Sequence, residues 1–174
     1  QVILRQRKIP LNTGKPTLSF DKGVNGWMIG EGAGSIILKR IDAAKKDNEK
    51  IYATIDSIAF SSATSSETFE DCLKKAMKFA GLKPNQIGLL EVCGSGKDSD
   101  DKLEMEGLNR VFSGDTSHCA IGSIKANIGH TFAASGMASL IKTALCLHHR
   151  FIPGVPQWGS PKDEMNTGNI FYVP

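Results

Sequence analysis

Several things are missing from this sequence of 174 residues, and each absence narrows the field. No apolar run reaches the roughly 18 to 20 residues that span a bilayer, and residues 1–7 lack the apolar core of a secretory signal. The expected location is therefore the cytoplasm, with no membrane partner. The 21 basic and 18 acidic residues are spread along the chain without a block of like charge or a basic stripe interleaved with aromatics, so nucleic acid is excluded as the expected partner. The four cysteines, Cys72, Cys93, Cys119 and Cys146, form no CxxC pair and no disulfide-dense pattern. They read as free thiols, with Cys72 and Cys146 on apolar faces of predicted helices as small hydrophobes. No metal site and no cofactor is expected.

What is present suits one globular domain or a piece of one. The 40% hydrophobic content is ordinary, and the 18 glycines imply many tight turns. Residues 1–30 read as loop with at most a short strand. Residues 35–39 form a short apolar run after glycines and read as a buried strand; residues 51–60 alternate well enough for a second. One or two helical turns fit between them at 42–47. Ser66 can cap a helix reaching Ala80, because Phe69, Cys72, Leu73 and Ala76 recur at intervals of three and four, and Gly81 with Pro84 then stops it. A strand at 87–92, a helix from Ser99 or Asp100 to about Phe112, a strand beginning at Cys119 and a long helix over 132–149 follow. This alternation predicts an α/β layered fold with a mixed, largely parallel sheet, and it places chemistry in the loops after the strands.

Three of those loops invite attention. Gly30, Gly32 and Gly34 permit close backbone approach but lack the GxGxxG or GxxxxGKS/T spacing of a phosphate cradle, so a structural turn is expected. In the second loop, Glu91 and Val92 lead to Cys93 and then to Gly94, Ser95 and Gly96. Asp101 and Glu104 follow three residues apart on one face of a helix's first turn, where solvated acids that suit the macrodipole would look the same. The third runs from Lys125 through Asn127 to His130, just before the long helix. His130 there can donate a ring N–H to a developing oxyanion, with Lys125 tuning a neighbour's protonation, although a histidine at a helix start also serves as a cap.

Taken in order, these segments resemble the C-terminal half of the β-ketoacyl synthases, of the thiolase superfamily. The 91–104 segment is similar to that family's EAHGTGTxxGDPxE motif, the 124–130 segment to its xKxNxGH motif, and Ile152 with Pro153 to its PPxxxxxxP connection. The resemblance covers residues 18–174 and implies a thiolase-like αβα half-domain, with the nucleophile half and closing strands outside residues 1–174. Residue by residue, it assigns His130 as the second catalytic histidine and Lys125 as the motif lysine. Asn127, Asp101 and Glu104 then support the site, with an ion pair expected between Lys125 and one acid. Cys93 stands where the first catalytic histidine belongs. In the family two histidines hold the malonyl thioester oxygen as carbon dioxide leaves, and losing one such donor costs about 10² to 10³ in rate.

That pattern resembles the chain-length factors, partners that dimerise with a ketosynthase and shape acyl-chain elongation on acyl carrier protein. The loop wording is most similar to bacterial omega-3 polyunsaturated fatty acid synthase or polyketide synthase subunits. A catalytically active β-ketoacyl synthase relying on Lys125, Asn127 and His130, using acyl and malonyl thioesters, is the alternative, and an acyl-CoA thiolase is a third. The 174-residue chain alone is expected to be inactive, and Cys93 and His130 are expected to face one pocket.

Overall fold

The computed structural model describes residues 9–62, 64–114, 118–163 and 170–174. Part of the N-terminal loop reading, over residues 1–8, lies outside the described residues.

Three strands, β1 (Leu89–Glu91), β2 (Cys119–Gly122) and β3 (Phe171–Tyr172), form a sheet in the order β1-β2-β3. Every pairing within it is parallel, with Glu91 opposite Gly122 and Cys119 opposite Phe171. Antiparallel contact is limited, among the described residues, to an isolated bridge between Asp21 and Pro161. β2 is buried along its whole length, as befits the central strand of a parallel sheet covered on both faces.

Among the described residues, helices α1 (Ile41–Lys46), α2 (Ser66–Ala80), α3 (Asp98–Phe112), α4 (Lys125–Ile128) and α5 (Ser135–His149) join the strands, with short 3-10 turns at Pro84–Gln86 and Phe132–Ala134. The cap of α2 is Ser65 rather than Ser66. Its hydroxyl accepts the Thr68 N–H while the Thr68 side chain accepts the Ser65 N–H, a reciprocal box that closes two orphan donors. Gly81 ends the helix in the left-handed region at φ 67°. α3 begins at Asp98, one residue before the expected cap. α2 lies on α3 at Gly107, where a side chain would collide with Phe69, and the Glu67–Arg110 pair at 2.6 Å closes the outer edge.

Leu18, Phe20, Val92, Met105, Leu108, Phe112, Cys119, Ile121 and Phe171 make one core between α3 and the sheet. Phe112 and Phe171 meet edge to face at 5.2 Å, an arrangement that adds to the area they remove from water.

The strands expected at 35–39 and 51–60 are not formed. Ile37 is 96% exposed and Phe60 86%, and neither segment joins a ladder. Strand-like composition needs a partner edge to become a strand, and no such edge lies beside them among the described residues. The helical turns expected at 42–47 do form, as α1.

Candidate functional site

Two loops converge at the carboxyl end of β1 and β2. The first leaves β1 at Cys93. Its four successive amides point into the first turns of α3: Cys93 and Gly94 donate to the two oxygens of Glu104 at 2.7 and 2.9 Å, and Ser95 and Gly96 donate to Asp101 at 2.6 and 3.1 Å. The Ser95 hydroxyl adds a further bond to Asp101 at 3.0 Å. Such a run of N–H groups is a nest for negative charge, here filled by the chain's own acids. Gly94 and Gly96 take positive φ, and a side chain at Gly96 would strike the Gly26 carbonyl at 2.4 Å.

Burial has an electrostatic consequence. It pushes the Glu104 carboxyl up to about 7, reinforced by Asp101 and opposed by the two amides and by Lys125. Asp101 is raised too, first by burial and against its Ser95 and Gly96 hydrogen bonds.

The second loop is fixed at its start and its end. Ser123 Oγ donates to the Cys93 carbonyl at 3.3 Å, and the Ile124 N–H donates to Glu91 at 2.6 Å. At the far end the His130 N–H bonds the Met28 carbonyl at 2.7 Å, and the Gly30 N–H returns to the His130 carbonyl at 3.2 Å. Gly30 and Gly129 make this approach possible, since a side chain at either would overlap the opposite backbone. The structural role expected of the Gly30 turn follows from this packing.

His130 stacks flat on Trp27, with ring centroids 4.3 Å apart and planes 3° from parallel. Its Nδ1 accepts the Phe132 N–H at 3.0 Å and lies 3.2 Å from the Ser135 hydroxyl. Because an amide can only donate, Nδ1 holds a lone pair and the neutral ring carries its proton on Nε2. Burial and the Lys125 charge hold His130 below the usual imidazole range, which keeps that neutral form at pH 7. The side chain is thus a preset N–H donor.

The expected residues gather unevenly. Lys125 and His130 line a narrow cavity with Thr17, Ser19, Gly94 and Ser123. Cys93, an exposed residue beside this cavity, is not among its lining residues; the wall takes Gly94, Ser95 and Gly96 from the same loop. Nor is Cys93 packed beneath the sheet. Burial, Glu104, Asp101 and Asp100 raise its pKa while Lys125 lowers it, leaving a protonated thiol at neutral pH. Asn127 is exposed and contributes nothing to the cavity wall.

The expected ion pair is also absent. Lys125 is buried and close enough to Glu104, Cys93 and His130 to act on the charge of each, but it lies beyond 4.0 Å from both acids. The acids spend their oxygens on the loop amides instead. Trp27 and Glu91 are the site residues that the sequence did not single out for a role. Glu91 opened a recognised motif, but nothing in its spacing revealed its partners.

Residues 50–158 match the family described as beta-ketoacyl synthase, C-terminal domain. Polyketide synthase ThaG of Burkholderia thailandensis is 36% identical over 155 residues, which is 82% of this chain and 3% of that protein. A ketosynthase from module 6 of the bacillaene synthase of Bacillus subtilis 168 superposes with a TM-score of 0.88 at 30% identity, covering 99% of this chain and 33% of that one. The ishigamide ketosynthase/chain length factor shares the fold, with a TM-score of 0.82 at 20% identity over 99% of this chain and 43% of that one. These matches, with the two loops brought to one end of a parallel sheet, place the chain in the β-ketoacyl synthase family, as a C-terminal ketosynthase domain of α/β, thiolase-like fold.

Proposed function

We propose that this domain serves a fatty acid or polyketide multienzyme as a chain-length-factor type of subunit, shaping acyl-chain elongation without itself releasing carbon dioxide from malonyl groups. The feature that carries the reading is Cys93: by the motif resemblance it stands where the family has a histidine, and its thiol pKa is raised, first by burial and then by Glu104. A neutral thiol is a weak donor and carries no positive charge, so only the Nε2–H of His130 remains to hold a thioester oxygen. The chain spans a third of the bacillaene ketosynthase, which supports taking residues 1–174 as the C-terminal part of a larger domain. On this reading the nucleophile half and closing strands lie elsewhere in the full-length protein. Its partners are then acyl carrier protein bearing acyl and malonyl thioesters and a ketosynthase in a dimer, in the cytoplasm. No helix among the described residues is long and apolar enough to cross a membrane.

The alternative, a working condensing enzyme, draws support from the intact presentation of His130. Asn127, exposed and outside the cavity wall, weakens it. Malonyl decarboxylation by the full-length protein separates the two. Wild type is expected to show none above buffer and Cys93→His to gain it; measurable turnover by wild type makes the domain an enzyme. The 174-residue chain alone is expected to give no product with acyl and malonyl thioesters.

A further inference from the structure

A buried carboxylate that the site chemistry does not use lies directly behind it. Glu91, the last residue of β1, has a side chain only 6% exposed, and Lys142 of α5, 11% exposed, meets its Oε2 at 2.6 Å. The other oxygen, Oε1, accepts the Ile124 N–H at 2.6 Å. Room for this pair comes from Gly122, opposite Glu91 in the sheet, whose position leaves only 3.3 Å between an added side-chain carbon and the Lys142 ammonium. Two unpaired charges at such depth would be costly, so the pair survives on geometry and on the third hydrogen-bond partner. That partner is the backbone immediately before Lys125.

We propose that Glu91 is a positioning residue: by holding the Ile124 N–H while anchored to Lys142, it fixes the start of the Lys125 to His130 loop against the end of β1. α5 then grips the loop twice. Lys142 acts through Glu91 at the start, and Ser135, two turns earlier on the same helix, reaches His130 Nδ1 at the end. The distance between the Lys125 ammonium and Cys93 is set by the first grip. The inference rests on the geometry of the site and holds whether the domain turns over substrate or not.

The test reads the thiol, which needs no turnover. Cys93 alkylation by iodoacetamide is followed against pH in the full-length protein by peptide mass spectrometry, because the thiolate is the reacting species. The groups facing the thiol are Glu104, Asp101 and Asp100, which suppress ionisation, and Lys125, which favours it. In Glu91→Leu the loop start loses its acceptor, Lys125 moves off, and the profile shifts to higher pH, with labelling at pH 8 falling about three- to tenfold. In Glu91→Gln the amide oxygen still accepts the Ile124 N–H, so labelling stays within about twofold of wild type. An unshifted profile in folded Glu91→Leu overturns the proposal. So does a Glu91→Gln shift as large as that of Glu91→Leu, since charge alone would then be responsible. Should Glu91→Leu fail to fold, Lys142→Met decides: with Glu91 no longer anchored to α5 the profile is expected to shift the same way, and an unshifted profile in folded Lys142→Met overturns the assignment. A failure of these results leaves the decarboxylation test untouched, and the reverse holds too.

Discussion

The loops around His130 and the stretch from 31 to 60 are made of similar material, glycine-rich turns running into apolar segments, yet they end in opposite states. In the first, successive amides of Cys93 to Gly96 find carboxylates inside the chain, and the histidine ring finds an indole, an amide and a hydroxyl. In the second, Ile37, Leu38, Ile55, Ile58 and Phe60 face outward and no ladder forms. The polar region saturates itself locally. The apolar one needs a surface that these residues do not supply to each other, because burial requires a partner face while a hydrogen bond requires only a nearby atom.

Mutations sort along this contrast. Asp101→Leu strands the buried amides of Ser95 and Gly96 and is expected to cost about 3 kcal/mol or more in urea unfolding of the 174-residue chain. Gly129→Ala comes next. With φ at 74° and the Ile29 backbone 2.7 Å from the added carbon, it should cost about 2 to 3 kcal/mol and loosen the His130 loop, seen as faster amide exchange at 129–132.

A pH titration sharpens the comparison further. Glu104 ionises near 7 in the folded chain against an ordinary 4.5, so the folded state holds its proton longer than the unfolded state does. Its contribution is fully present below pH 4.5 and is lost as pH rises towards 7, on the order of 3 kcal/mol in all. Asp101 works in the same direction. Glu104→Gln is expected to flatten the fall in urea midpoint across that window, and an unchanged slope would show that another group is responsible. The smallest effect belongs to the other region: Phe60→Ser should change the stability of the 174-residue chain by less than about 0.5 kcal/mol. A loss above 2 kcal/mol there would erase the distinction between the two regions.

How much of this could be read beforehand follows the same division. α2 and α3 were legible almost to the residue, because their apolar spacing, the serine cap and the Gly81 stop are local signals. The parallel pairing was legible in strands alternating with helices, whereas the strand order and the strand at Phe171–Tyr172 were not. The segments at 35–39 and 51–60 misled because their composition describes a strand's surface and says nothing of whether an edge is available to pair with it. The site was legible as three loops in order, and Lys125 and His130 do share a cavity wall. Its interior wiring was not. That Glu104 and Asp101 turn to the Cys93 loop rather than to Lys125 depends on backbone direction at Gly94 and Gly96, and no pattern of side chains encodes the flat approach of Trp27 to His130.

That approach gives the molecule an optical property. An imidazole lying parallel to an indole at 4.3 Å places any proton it gains directly on the ring's electron-rich face, and a cation there draws on the same π-density that emits light. Trp158 packs against the main core with no histidine stacked on it, so its emission is expected to vary less with pH. The chain's two tryptophans therefore form a signal and a reference, and tryptophan emission followed against pH reports the charge on His130 without label, substrate or partner.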